Sequence, residues 1–279
     1  MLKHFLNPPN WFTSASIFCS FYAMLLATGA NGDPMAFYKA GLLIGFAGVF
    51  DMLDGRVARW TGGGSEFGVQ LDSLADMMSF GVAPAILVYS WALHDLGAVG
   101  IGASFFFIVC AAFRLARFNV GTSDGAEAQH SIGLTTTMAG GTVAALVMFH
   151  AAIGRTSVQN PVGPLLMTLL LAFLMVSPVR FRVFKMRLSP AAKGGLALFF
   201  GCLIAVGVFY DISFIVAPMM VTYTAAGLIE GVVKLSTRRV SAHSSGAATL
   251  NAPVADDDSE EPDDDDVDDD DDVDGSPKG

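Results

Sequence analysis

Long apolar runs joined by short polar stretches dominate the chain. Eight such runs stand out, at about residues 11–30, 36–55, 70–93, 96–114, 134–153, 161–178, 192–209 and 212–232. A helix needs roughly 20 apolar residues to cross about 30 Å of hydrocarbon. The pattern therefore predicts an all-α polytopic membrane bundle of about eight transmembrane helices. Only His94-Asp95-Leu96-Gly97 parts the third run from the fourth, which predicts a tight turn there. The first run is long and is followed by further spans, so it reads as an anchor that stays in place, not as a cleaved secretory signal. One segment breaks the pattern. Between two apolar runs, Asp51–Asp76 reads DMLDGRVARWTGGGSEFGVQLDSLAD and carries four aspartates.

Composition supports a membrane protein: 53% of the 279 residues are hydrophobic, 15% are charged, and mean hydropathy is +0.53. The net charge of −10 belongs to the C-terminus, because residues 255–279 hold 15 of the 26 acidic residues. Without that segment the body is about +4, from 15 basic and 11 acidic residues. The expected organisation is a transmembrane domain over 1–235 and a disordered acidic tail over 236–279, too polar to bury a core. Thirteen of the fifteen basic residues of the body fall at the N-terminus, after the even-numbered runs or after the last one. Only Lys39 and Arg155 fall on the other side. That bias predicts both termini, and the Asp51–Asp76 region, on the cytoplasmic face of the cell membrane. Cys19, Cys110 and Cys202 are scattered through apolar runs with no metal-binding spacing, and read as packing thiols. No nucleic-acid partner is expected.

Ionisable residues within a membrane are costly and face a cavity or a partner. Asp51 and Asp54 share one helix face, and Asp72 and Asp76 share a face of the next. The Gly62–Gly64 turn folds the two helices antiparallel. Asp51 lies eight residues before Arg59 and Asp76 eight after Gly68, about 12 Å along each helix. All four carboxylates can thus meet at one level. So many negative charges in a small volume repel one another, and ion pairing with Arg56 and Arg59 would satisfy two at most. Divalent cations answer the repulsion. Hard oxygen ligands suit Mg²⁺ or Mn²⁺ together with substrate phosphates, and Arg59 suits a phosphate oxygen.

The pattern Asp51-x2-Asp54-Gly55-x2-Ala58-Arg59-x8-Gly68-x3-Asp72-x3-Asp76 resembles, at every position, the signature of the CDP-alcohol phosphotransferase (phosphatidyltransferase) family of membrane enzymes. The resemblance implies a fold, a six-helix core here extended by two C-terminal helices, commonly as a homodimer. It also implies a reaction, in which a CDP-linked donor passes its phosphatidyl group to an acceptor hydroxyl and CMP leaves. It implies two divalent ions on Asp51, Asp54, Asp72 and Asp76, with Asp76 also the base for the acceptor hydroxyl. Gly55, Ala58, Arg59, Ser65 and Gly68 would surround the CDP group, and Asn10 and Thr13 match a donor-contacting Asn-x2-Thr. These roles fit general chemistry: two metals stabilise attacking and leaving oxygens, and a nearby carboxylate accepts the hydroxyl proton.

The flanking segments DSLADMMSFGVAPA, CAAFRLARFNV and LMVSPVRFRVFK, with the N-terminal PNWFTSASIFCSFYAMLLA, resemble the bacterial branch that uses L-serine and CDP-diacylglycerol, the phosphatidylserine synthases. The chain departs from that branch at Gly133-Leu134-Thr135, where the branch carries Gly-Leu-Pro. Serine has a carboxylate, so Arg114, Arg117 and Asn119 are candidates for acceptor or phosphate contact. Anchoring to membrane lipid phosphates is the competing role for the two arginines. A phosphatidylglycerophosphate synthase would also want basic residues for its acceptor, so charge alone leaves that alternative open. Arg180, Arg182 and Lys185 read rather as an interfacial anchor.

Other polar residues have structural readings. His94 and Asp95 suit a solvated turn, His130 a loop, and His150 and Tyr210 the interface. Gly140 and Gly141 suit close helix packing. A membrane prenyltransferase would need a second acidic motif, yet residues 118–254 offer only Asp124, Glu127, Asp211 and Glu230. A divalent-cation channel or transporter would explain the acids, but not the Asp-Gly-x2-Ala-Arg pattern on an antiparallel pair.

Overall fold

A computed structural model describes residues 7–60, 65–123, 133–154, 158–177 and 211–225, with side chains at 121–123 excepted. All of these lie in one compact unit, Met1–Ser236. The described residues are helical and contain no strand. The helices are α1 (Pro8–Thr28), α2 (Pro34–Trp60), α3 (Glu66–Leu96), α4 (Ala98–Ser123), α5 (Thr136–Ala152), α6 (Val162–Val176) and α7 (Ser213–Ala225). The first four are long and apolar enough to cross a membrane, and the last three are shorter apolar helices. The expected count of eight therefore stands at seven helices among the described residues, with the run at 192–209 and the acidic tail outside them.

Helix boundaries follow local chemistry. Pro8 and Pro9 start α1, where a missing N–H costs nothing. The α1–α2 joint turns through Asn31 and Gly32, both with positive φ, and Asp33 accepts the Met35 N–H at 3.0 Å. Ser65 caps α3 by accepting the Gly68 N–H at 3.0 Å. The expected tight turn between the third and fourth runs is there: a 3₁₀ turn at His94–Leu96, closed by Gly97 at φ 55°.

α3 is irregular. Wide π-helical turns at Met77–Val82 and Tyr89–Leu93 bracket an α-helical segment at Ala83–Val88. Pro84 explains the first, because it lacks an N–H and its ring crowds the carbonyl four residues back. Half of α3's most apolar window is buried, the largest share of the four spans, so α3 is the central helix.

Two apolar clusters surround it. One gathers Val88, Phe107, Ala111, Val143, Leu171 and Met175 from α3, α4, α5 and α6. The other gathers Ala23, Ile44, Leu87 and Val147 from α1, α2, α3 and α5. Small residues permit the closest approaches. A Cβ at Gly140 would lie 2.6 Å from the Phe80 carbonyl oxygen, and one at Gly41 2.5 Å from Met148 Cγ. Gly141, paired with Gly140 in the sequence expectation, has only Met220 of α7 near it, at 3.9 Å. Buried hydroxyls bind α1, α2 and α3 together. Ser20 Oγ donates to Ser79 Oγ at 2.6 Å, Ser16 Oγ lies 3.1 Å from Ser79 Oγ, and Ser16 also reaches the Ala47 carbonyl at 3.1 Å.

Opposite the aspartates, Asp211 ties α7 to α2 by accepting from Tyr38 Oη at 2.9 Å and from the Ser213 N–H at 3.0 Å. Burial pushes its carboxyl up, but these hydrogen bonds outweigh that and hold it below its ordinary value. Cys19 and Cys110 are buried free thiols, and Cys202 lies outside the described residues.

Candidate active site

The antiparallel pairing of α2 and α3 brings the aspartates together. One carboxylate oxygen from each of Asp51, Asp54 and Asp72 lies within 4.8 Å of the others. Asp76 joins this group through Asp51, whose carboxyl is within hydrogen-bonding reach. Asp54 is 5% exposed, and Thr13 Oγ1 donates to its Oδ2 at 2.8 Å, so α1 fixes that carboxylate's rotamer. Asp72 Oδ1 and Asp76 Oδ1 are buried without a hydrogen-bond partner. A buried, unsatisfied carboxylate oxygen is expensive. Two such oxygens beside the close-set carboxylates of Asp51, Asp54 and Asp72 suit a hard divalent cation, so the residues fit such an ion.

Beside the aspartates lies a cleft of about 180 Å³, lined by Asn7, Pro9, Asn10, Thr13, Asp54, Gly55, Ala58, Ser65, Gly68, Val69 and Asp72. Eight of the residues expected at the donor or metal site therefore share one wall. Asp51 and Asp76 sit outside that lining, and Arg59 is an exposed residue in the last turn of α2. The glycines serve the cleft by their size. A Cβ at Gly55 would meet nothing nearer than Arg59 Nη1 at 4.0 Å, and at Gly68 it would stand 3.3 Å from Ser65 Oγ and 3.5 Å from Asn10 Oδ1. Side chains there would fill the cleft itself.

The three acceptor candidates have distinct surroundings. Arg114 Nη1 donates to Thr136 Oγ1 at 3.1 Å, and the guanidinium interacts electrostatically with Asp76. Arg117 reaches the C-terminal carbonyls of α6, Met175 and Val176, at 3.2 Å each. Asn119 Nδ2 donates to Ser73 Oγ at 3.0 Å. Of the three, Arg114 interacts with the aspartate centre.

The family model for CDP-alcohol phosphatidyltransferases matches residues 6–179, more than half of the sequence and the whole of this site. The chain belongs to the CDP-alcohol phosphatidyltransferase family. It is 35% identical over 188 residues to a CDP-diacylglycerol–serine O-phosphatidyltransferase of Helicobacter pylori, covering 64% of this chain and 75% of that one. It is 33% identical over 157 residues to the protein of the same name from Bacillus subtilis, covering 56% and 82%. An archaetidylserine synthase of Methanothermobacter thermautotrophicus is 37% identical over 133 residues, covering 46% and 55%.

Three features of this CDP-alcohol phosphatidyltransferase were not anticipated from its sequence. Asn7 and Pro9 line the cleft, and the only hint was their place beside Asn10. Thr136 accepts from Arg114, across 22 residues of sequence. The Ser73–Asn119 hydrogen bond joins α3 to α4, and its signal was the spacing of Ser73 from Asp72 and Asp76 on α3. The missing proline has a local explanation. Thr135 holds φ −68° and ψ 145°, within proline's own φ range, and its hydroxyl caps α5 by accepting the Met138 N–H at 3.3 Å.

Proposed function

We propose that the chain is a CDP-diacylglycerol–serine O-phosphatidyltransferase, a phosphatidylserine synthase. The observation that carries the reading is the convergence of Asp51, Asp54 and Asp72, with Asp76 joined through Asp51, beside a cleft lined by most of the positions expected to receive the donor. The relatives point the same way on the acceptor. The Helicobacter and Bacillus proteins are named for serine transfer, and the archaeal one, named for a different lipid, still names serine.

In this reading Asn10, Thr13, Gly55, Ala58, Arg59, Ser65 and Gly68 receive the CDP portion of the donor, and the acyl chains stay in the bilayer. Asp51, Asp54, Asp72 and Asp76 would hold two divalent ions, Mg²⁺ or Mn²⁺, which supply positive charge to the diphosphate. Asp76 accepts the proton of the serine hydroxyl. The hydroxyl oxygen forms a bond to the phosphatidyl phosphorus, the bond from that phosphorus to the CMP oxygen breaks, and CMP departs with the electron pair. Arg114, beside Asp76, offers a cation for the serine carboxylate, with Arg117 and Asn119 as the other acceptor candidates. Buried and preorganised, such groups act more strongly than in water.

The remaining parts of the proposal concern placement. The site faces the cytoplasm, both termini are cytoplasmic, and residues 1–235 form the membrane domain, separate from the acidic segment 236–279. The working unit is a homodimer in the cell membrane. An acceptor panel tests the function: purified chain, CDP-diacylglycerol and Mn²⁺ with L-serine, glycerol 3-phosphate or inositol phosphate in parallel. Serine alone should yield lipid product. Product with glycerol 3-phosphate and none with serine would move the assignment to a phosphatidylglycerophosphate synthase.

A further inference from the structure

We infer that Ser73 and Asn119 are a positioning pair, which fixes the register of α4 on α3 and so holds Arg114 at the acceptor side of Asp76. The inference rests on the proposed transfer reaction, since it concerns how the acceptor subsite of that reaction is built.

Two close contacts between α3 and α4 carry it. At one, a Cβ built on Gly81 would lie 3.3 Å from Ala111 Cβ, so the helices nearly touch. At the other, Asn119 Nδ2 donates to Ser73 Oγ at 3.0 Å. From Gly81 back to Ser73 is eight residues, and from Ala111 forward to Asn119 is also eight. Equal and opposite steps mean one antiparallel register satisfies both contacts. The Gly81–Ala111 contact is apolar and short-ranged, so it tolerates sliding. The hydrogen bond has one optimum and is lost when the donor moves by an ångström or so.

Position decides what this register controls. Ser73 stands between the metal-ligand candidates Asp72 and Asp76, and Asn119 stands five residues beyond Arg114 on α4. Sliding α4 by one helical turn would carry Arg114 about 5.4 Å along Asp76's helix. On its far side the same end of α4 is held by Arg117 on the α6 carbonyls of Met175 and Val176. Asn119 thus acts through Ser73 and Arg114, where the sequence had placed it as a direct contact of acceptor or phosphate. The donor cleft is built from α1, α2 and the first turns of α3 and contains no residue of α4. Disturbing the pair should therefore affect the acceptor and spare the donor.

A double-mutant cycle tests this on the full chain in detergent or nanodiscs, with Ser73→Ala, Asn119→Ala and the double variant. The Michaelis constant for serine and for CDP-diacylglycerol is measured for each. Each single variant should raise the serine KM by about five- to tenfold, the size expected for one net hydrogen bond. The serine KM should rise by more than kcat falls, and the CDP-diacylglycerol KM should stay within about twofold. The double variant should be no worse than the worse single variant. Multiplying single effects would make Asn119 an independent acceptor ligand and overturn the pairing. Equal losses for both substrates, or an unchanged serine KM in active variants, would also overturn it. Should the wild-type chain use another acceptor alcohol, the cycle is read on that acceptor. A wild-type chain with no transfer activity would sink the transfer reaction and this inference together, before any variant is compared.

Discussion

Asp76 is where the proposed chemistry concentrates. Its Oδ1 is buried and unpartnered, its neighbours are Asp51 and Arg114, and it closes the four-aspartate pattern. Asp76→Asn keeps the shape and removes the proton acceptor. Turnover should fall by at least about a thousandfold, near the 10²–10⁴ range for general-base loss, while CDP-lipid binding persists at least in part. Near-normal turnover would take Asp76 out of the base role. Thr13 is a subtler case. Its hydroxyl holds Asp54 from across α1 at 2.8 Å, as an outer-shell partner of a metal ligand does. Thr13→Val should raise the Mn²⁺ concentration giving half-maximal activity by about tenfold, at the lower end of the outer-shell range. An unchanged metal titration would show that Asp54 needs no such support. The aspartates were legible because charged residues in an apolar run are conspicuous and their spacings of three and four are helical. Thr13's bond to Asp54 crosses 41 residues, and no periodicity encodes such a partner.

Helices depend on a few positions where backbone approaches backbone. Gly133 has φ 85°, and a Cβ there would stand 2.5 Å from the Met175 carbonyl oxygen. The adjoining Leu134 is fully buried and donates its N–H to the Leu174 carbonyl at 3.0 Å. Gly133→Ala should therefore destabilise the protein by about 2 kcal/mol, combining left-handed strain with a steric clash. Thermal unfolding in detergent would register the loss. The Gly140-Gly141 pair offers a sharper contrast, because one glycine faces Phe80 and Pro84 of α3 and the other faces the looser α7. Gly140→Ala should lower thermal stability clearly, whereas Gly141→Ala should change it by less than about 0.5 kcal/mol. Equal effects would mean that α5 does not approach α3 as described. Hydropathy located every described helix, since burial in lipid leaves a continuous apolar signature, but it ended α2 five residues and α4 nine residues short of Trp60 and Ser123, where the helices continue into polar sequence. It left the π turns of α3 unmarked. The first arises where Pro84 meets the backbone of its own helix, inside a run whose composition looks uniform.

For the whole molecule, the proposed topology has the aspartate centre at one membrane face and the His94–Gly97 turn at the other. Single cysteines at Glu66 and Asp95, in a chain freed of its native cysteines, should react with a membrane-impermeant thiol reagent from opposite sides. Asp95 should be labelled in intact cells, and Glu66 only after the membrane is opened. Labelling of both from one side would remove the proposed topology. The proposed orientation rests on charge bias, because Lys and Arg gather on one side of successive spans in the sequence. What the sequence does not display is how α4 docks beside the aspartates, since that depends on pairings such as Arg114–Thr136 and Asn119–Ser73 between separate spans.

In the proposed reaction the four aspartates serve a transfer from CDP-diacylglycerol to serine. Its most direct test is the purified chain with CDP-diacylglycerol, labelled L-serine and Mn²⁺, with CMP and labelled lipid both measured. CMP and serine-bearing lipid should form in equal amounts, dependent on the metal and absent in Asp76→Asn. No CMP release with serine or any other acceptor alcohol would contradict the proposed reaction.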